Sequence, residues 1–262
     1  MKNNLIYVLV LLLSCTNAQV SNSIQYSRKM NVAGTSVFTK YELQVNVDQQ
    51  LSNFVFKGLL EEFESDTISN KIDAIDEKNV IENIVIVKKS NNPPPITNQK
   101  NFKSNELLSY ESIYGEKELY LIKEELPEFE WQIANETKEI LGYKTQKATT
   151  EFRGRKYEIW FAPEINLHDG PWKFYGLPGL ILEVKSEDGF IEFLAYELHL
   201  NTTYASLENL STKYKNISAI DFRKKKQIEA KNINKQKKFL QSQNPLETNV
   251  KIETNDLEIV EY

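Results

Sequence analysis

His168 and His199 are the only imidazoles in the 262 residues of the chain. His168 stands next to Asp169 and four residues after Glu164. An imidazole flanked by two carboxylates is a set that general acid–base hydrolysis can use, provided the three groups converge. The same residues also make a polar bend, because Asp and the following Gly170-Pro171 favour turns. No H-x-x-x-H spacing links the two histidines, and His199 sits in a strand-like run. The sequence therefore assigns no catalytic residue and leans against an enzyme; a hydrolase using His168, Asp169 and Glu164 is the alternative. A second group, Arg153, Arg155, Trp160, Trp172 and Lys173, could form a cationic–aromatic binding surface. Trp stacks on flat ligands and Arg forks onto carboxylates. The plainer reading puts both Trp in the core and the Arg at a hairpin tip. With two His and one Cys, no metal site and no cofactor are expected. Neither a G-x-S-x-G elbow nor a Gly-rich phosphate loop is present.

The elements that must position these residues follow a leader. Residues 1–18 carry one Lys, an apolar run from Leu5 to Leu13 and Thr16-Asn17-Ala18, the pattern of a signal peptide cut before Gln19. The apolar run is too short to span a bilayer as a helix, and no later stretch reaches that length. Leu12-Leu13-Ser14-Cys15 also has the look of a lipobox, so a lipid anchor at Cys15 is the less favoured alternative. The chain is expected to be exported, periplasmic or outer-membrane-associated, with no transmembrane span. Its net charge of −5 becomes −6 without the leader, and this excludes a basic nucleic-acid binder. Without the leader no Cys remains, so burial and hydrogen bonds must supply the stability.

Ser23 to Ser27 and Val37 to Val47 read as strands. In the second, Val37, Thr39, Tyr41, Leu43, Val45 and Val47 alternate at period two. Asp48-Gln49-Gln50 is a turn and Leu51 to Phe56 returns as a strand. Residues 59–131 are acidic, with Glu61 to Asn79 a surface excursion, Pro93-Pro94-Pro95 a loop, and Val80 to Val87 and Glu118 to Ile122 strands. Glu128 to Ile133 alternates as a strand, and Asn135 to Lys138 reads as a turn. Arg153-Gly154-Arg155 and Ser186-Glu187-Asp188-Gly189 are hairpin tips. The strand after the first tip puts Tyr157, Ile159 and Phe161 on one face and Lys156, Glu158 and Trp160 on the other. From Lys213 to Lys238 ten Lys or Arg face two acids, a basic helical tail with a poor apolar stripe that Asp221 could cap. That tail could contact an anionic surface.

The stretch His168 to Glu183 is the most informative. Leu177-Pro178-Gly179-Leu180 has type II turn chemistry, and Gly170-Pro171 and Gly176 mark further bends. Between them Trp172 and Phe174 are expected to share one side of an extended segment. Trp172, Phe174, Leu177, Leu180 and Leu182 are expected in or beside the core. The stretch resembles the GLPGLI family of exported Bacteroidetes proteins, whose hexapeptide stands intact as Gly176 to Ile181. Leu141-Gly142-Tyr143-Lys144, Gln146 to Thr150, Phe152-Arg153-Gly154-Arg155, Trp160-Phe161, Pro163-Glu164-Ile165 and Gly170 to Phe174 extend the likeness. Thr145 departs from it, since many members have Cys there. The resemblance implies a mostly β envelope protein and brings no catalytic residues.

These readings combine into residues 1–18 as a signal peptide, a β domain over 19–200 and a tail over 201–262. The domain is expected to be mainly β, an antiparallel curved sheet or open half-barrel. The expected function is non-catalytic binding of a hydrophobic, peptide, protein or lipid partner in the cell envelope, on the concave face of the sheet.

Overall fold

A computed structural model describes residues 19–32, 35–59, 96–113, 118–204, 207 and 214–243. The leader with Cys15, the expected strand over 80–87, the Pro93–Pro95 loop, the 61–79 excursion and the acidic end lie outside them. The described residues form twelve strands and one helix: β1 (Gln19–Val32), β2 (Thr35–Asn46), β3 (Leu51–Leu59), β4 (Ile96–Asn101), β5 (Glu106–Ser112), β6 (Leu119–Glu125), β7 (Gln132–Ile140), β8 (Tyr143–Phe152), β9 (Arg155–Ala162), β10 (Leu180–Ser186), β11 (Ile191–Tyr204), β12 (Lys215–Ser218) and α1 (Ala219–Gln243). The chain is mainly β, as its period-two runs predict.

All twelve strands join one open sheet in the order β12-β6-β5-β4-β3-β2-β1-β11-β10-β9-β8-β7. Every pairing is antiparallel except β12 on β6, which is parallel. Two meanders meet in the middle, where β11 returns to pair with β1. The sheet has to curl. Ten strand intervals separate β6 from β7, about 48 Å if the sheet were flat. Residues 126–131 join those same strands, and a chain of that length reaches at most about 25 Å. Bulges in the β1–β11, β9–β10 and β2–β3 pairings supply local twist. The seam between the two ends is crossed by Arg153 Nη2, at the β8–β9 tip, donating to Glu124 Oε2 on β6 at 2.5 Å.

The main core lines the inside of the curl. Tyr26, Leu43 and Phe54 come from the first meander, and Tyr157, Ile159, Val184 and Phe193 from the second. On β9 the two faces divide as the alternation predicts, with Tyr157, Ile159 and Phe161 inward. A smaller cluster of Ile113, Tyr120, Ile122 and Phe222 holds α1 against β6.

Four local readings are corrected. Asn135 to Lys138 lie inside β7, where the pairing with β8 skips between Ile133 and Thr137, and the turn falls at Leu141-Gly142. Phe129 and Trp131 precede β7 in the seam connection, drawn out of a strand by their packing on Phe174. β4 and β5 occupy a region whose polar residues hide the alternation; in β4, Asn98, Gln99 and Lys100 are all buried. Ser218, not Asp221, caps α1: its Oγ accepts the Asp221 N–H at 3.0 Å and donates to Asp221 Oδ2 at 2.7 Å.

Candidate functional site

Residues 163–179 connect β9 to β10 as a doubly bent ribbon lying inside the curl. Its bends are held by backbone bonds: Gly176 N–H to His168 O (2.9 Å), Phe174 N–H to Pro171 O (3.2 Å), Ile181 N–H to Asp169 O (3.0 Å) and Leu180 N–H to Ile165 O (3.2 Å). Pro178 does not open a type II turn. Gly179 N–H bonds back to Leu177 O at 2.8 Å, a tighter three-residue closure. Gly179 has φ +154°, and a Cβ there would sit 2.2 Å from Ala162 O, so only glycine fits. At Gly170 a Cβ would fall 2.7 Å from Ile181 Cβ, so this bend too requires glycine for close approach. Trp172 is not on an extended segment; it takes φ +55° at the centre of the Pro171–Phe174 turn. Such a backbone is unfavourable for a bulky residue. It is held because Trp172 packs edge-on to Phe152 and Phe174. Trp172, Phe174, Leu177, Leu180 and Leu182 all lie in the core, as expected.

Lys100 on β4 pins the ribbon from across the curl. Its ammonium pairs with Asp169 Oδ1 and donates to Gly170 O (2.8 Å) and Phe174 O (3.1 Å). All three ammonium hydrogens are thereby used. Both side chains are buried, at 1% and 3% exposure. Burial pushes the Lys100 ammonium below its ordinary pKa, and the Asp169 carboxylate opposes that shift. Tyr26 on β1 donates to Ile181 O at 2.6 Å; burial, and after it the Asp169 charge, push its phenol well up. Lys100, Asp169 and Tyr26 thus form a sealed clamp in which every lysine proton already has a partner. This geometry suits architecture and leaves no nucleophilic lone pair.

The sequence-derived acid–base set does not assemble. Asp169 Oδ1 is taken by Lys100 and by the Gly170 N–H at 2.7 Å, and its Oδ2 is buried with no hydrogen-bond partner among the described residues, while His168 and Glu164 are exposed. Among the described residues no hydrogen bond joins any two of the three. His199 is half exposed on β11, with Nε2 3.1 Å from Glu197.

The cationic–aromatic group divides between three places. Arg153 and Lys173 converge on Glu124, Lys173 at 2.8 Å. Each also lies over a ring, Arg153 4.9 Å from Phe152 and Lys173 5.6 Å from Trp172. Arg155 instead bonds Asp188 at 2.7 Å and covers Phe190 at 4.5 Å. Trp160 is buried with the main core on the other face of β9 from Tyr157, donates to Glu158 at 2.9 Å and carries Lys138 4.4 Å above its ring. The structure therefore brings Arg153, Trp172 and Lys173 together around Glu124 and keeps Arg155 and Trp160 apart from them.

Sequence reasoning missed Lys100, Tyr26, Glu124 and Phe129. Lys100 is hidden in the polar string Thr97-Asn98-Gln99-Lys100-Asn101, and Glu124 in a run of charges. Phe129 touches Trp131, Phe152, Phe174 and Tyr175, with ring centroids 4.9 to 5.6 Å apart. Its only signal is a density of aromatics in an acidic stretch. Thr145, where the resembled family often has Cys, is buried and donates to Lys138 O at 2.8 Å. Among the described residues, no three His, Cys, Asp or Glu side chains gather as metal ligands.

Fold and site define an open β half-barrel whose concavity, between β4 and β10, is filled by its own ribbon. Residues 163–179 occupy the concave face on which the partner was expected. Residues 61–224 match the family model described as "N-glycanase peptide, N-terminal domain". That is more than half of the chain, and the chain belongs to this family. No curated protein matches it. Among solved structures it is similar to PNGF-II in the C2 space group, at 18% identity and a TM-score of 0.49, and in the P21 space group, at 16% and 0.48. In both cases 78% of this chain covers 32% of the other, so the chain spans about a third of PNGF-II. An uncharacterized conserved protein from Thermus thermophilus matches at 10% identity and a TM-score of 0.37, with 77% of this chain covering 92% of that one. Among the described residues no helix is long and apolar enough to cross a membrane.

Proposed function

We propose that this chain is an exported, non-catalytic binding domain that holds a polypeptide partner in the cell envelope. The observation that carries the reading is the state of Asp169. The one buried carboxylate among the acid–base candidates serves as the counter-ion of Lys100 inside the fold. Membership of a family of N-glycanase N-terminal domains favours an accessory module, since a domain of this kind stands before the rest of such a chain. Within the same proposal, the Gly176–Ile181 hexapeptide and the leader pattern of residues 1–18 support the GLPGLI resemblance and export.

With the inside of the curl filled near the ribbon, the surface proposed for the partner is the outer face of β11. Leu194 and Tyr196 are exposed there, 36% and 42%, beside the Ser23–Glu42–Lys57 hydrogen-bond group. Apolar side chains rimmed by polar ones are the composition of a polypeptide contact. Native mass spectrometry of the protein purified from its own envelope tests this. A co-purifying polypeptide that is lost in Leu194→Asp/Tyr196→Asp, with His168→Ala without effect, is the expected result. A clean apo mass, or release of glycan from an N-glycosylated protein that His168→Ala abolishes at unchanged melting temperature, overturns it.

A further inference from the structure

We infer that the free face of α1 is an electrostatic docking surface for an anionic phospholipid bilayer. At 100° per residue, Ile220, Lys224, Ile228, Lys231 and Lys235 fall within an arc of about 80°. All five are exposed, Ile220 at 53% and Ile228 at 57%. Phe222, the residue that docks the helix, lies on the opposite side, buried against Tyr120 at 5.7 Å. Two other basic residues of the helix, Lys225 and Lys226, have work inside the fold. Lys225 sits 5.5 Å over Tyr120, and Lys226 pairs with Glu111 at 3.4 Å. No hydrogen bond or ion pair among the described residues engages Lys224, Lys231 or Lys235. The helix acids lie off this arc: Asp221 is bonded to Ser218, and Glu229 is on the docked side.

The outward stripe is therefore three ammonium groups that no described residue neutralises, spread over about 16 Å, with Ile228 between them and Ile220 one turn before them. This is the geometry of a surface lying flat on phosphate headgroups, in which lysines meet the phosphates and the isoleucines touch the acyl boundary. A single soluble anion would need the charges to converge, and here they run in a line. The remainder of the surface, acidic on balance, orients the molecule with α1 toward the bilayer. The inference uses a different surface from the β11 proposal and stands without it.

Co-sedimentation of the purified full chain with vesicles of phosphatidylglycerol and phosphatidylcholine, and with phosphatidylcholine alone, tests it. Binding is expected to the anionic vesicles only and to fall steeply with added salt. The triple variant Lys224→Gln/Lys231→Gln/Lys235→Gln should bind about a hundredfold more weakly, at a fewfold per lysine. Its circular dichroism should be unchanged, and Lys156→Gln on β9 should bind as the parent does. Equal binding to both vesicle types, no binding to either, unaltered binding by the triple variant, or binding to heparin without binding to vesicles would each overturn the inference.

Discussion

On the β8–β11 side of the sheet, Leu180, Ile181 and Val184 are fully buried together with Phe174 of the chain's own ribbon. On the β5–β6–β12 side the buried clusters are small, Ile113, Tyr120, Ile122 and Phe222 closed by the start of the helix, and Tyr110 with Leu121. One sheet thus treats its two flanks differently. The ribbon flank commits the apolar, aromatic and buried charged groups of its inner face to itself, which leaves the outer face of β11, with Leu194 and Tyr196 exposed, as its surface for a partner. The helix flank is held by a single aromatic anchor and presents its uncommitted cations outward. Filling an interior and presenting uncommitted cations are separate tasks, and here they fall to separate ends of the sheet.

The comparison can be broken most forcefully at the clamp. Lys100→Met leaves the Asp169 carboxylate buried with no counter-ion and removes the donor to two carbonyls, so urea unfolding should show a loss of about 3–5 kcal/mol. Gly179→Ala forces a Cβ against Ala162 O in a backbone that L residues avoid, and should cost about 3 kcal/mol by the same measurement. A loss of under half of either figure would mean that the ribbon is not the filling of the core.

Phe222→Ala sharpens the contrast. It should release α1 at a local cost of about 2 kcal/mol. Hydrogen exchange would then show lost protection over 219–243, with the β8–β11 amides unchanged. Coincident loss in both regions would contradict the division into two flanks. The smallest effect concerns Glu42. Burial raises its pKa, but hydrogen bonds from Ser23, Lys57 and Gln44 and the Lys57 charge outweigh burial and hold it below its ordinary 4.5. The unfolded chain then binds more protons below that value, so this contribution is present above it and fades as pH falls through the folded pKa. Glu42→Gln should flatten the acid limb of a stability–pH profile, and an unchanged slope would refute it.

Much of this contrast was legible in the residues. Alternation placed β1–β3 and β8–β11, because one face of each must be buried and the period is two. The ribbon's Gly and Pro announced its bends, and its aromatic and leucine residues their burial. What could not be read was pairing between distant segments. Nothing local marks Lys100 as the partner of Asp169, 69 residues on, since the contact exists only once the sheet has curled. For the same reason Asp169 beside His168 looked chemical: adjacency in sequence hid the fact that the two side chains part, one inward and one to solvent. The turn at Trp172 was missed because tertiary packing, not local preference, holds its positive φ.

The central claim is that the ribbon is pinned inside the curl by Lys100 and Asp169 acting as a pair. A double-mutant cycle of Lys100→Met and Asp169→Asn, read by urea unfolding, tests it most directly. The account predicts that the double variant loses little more than either single one, a coupling of about 2 kcal/mol or greater. Additive losses, with coupling near zero, would contradict it.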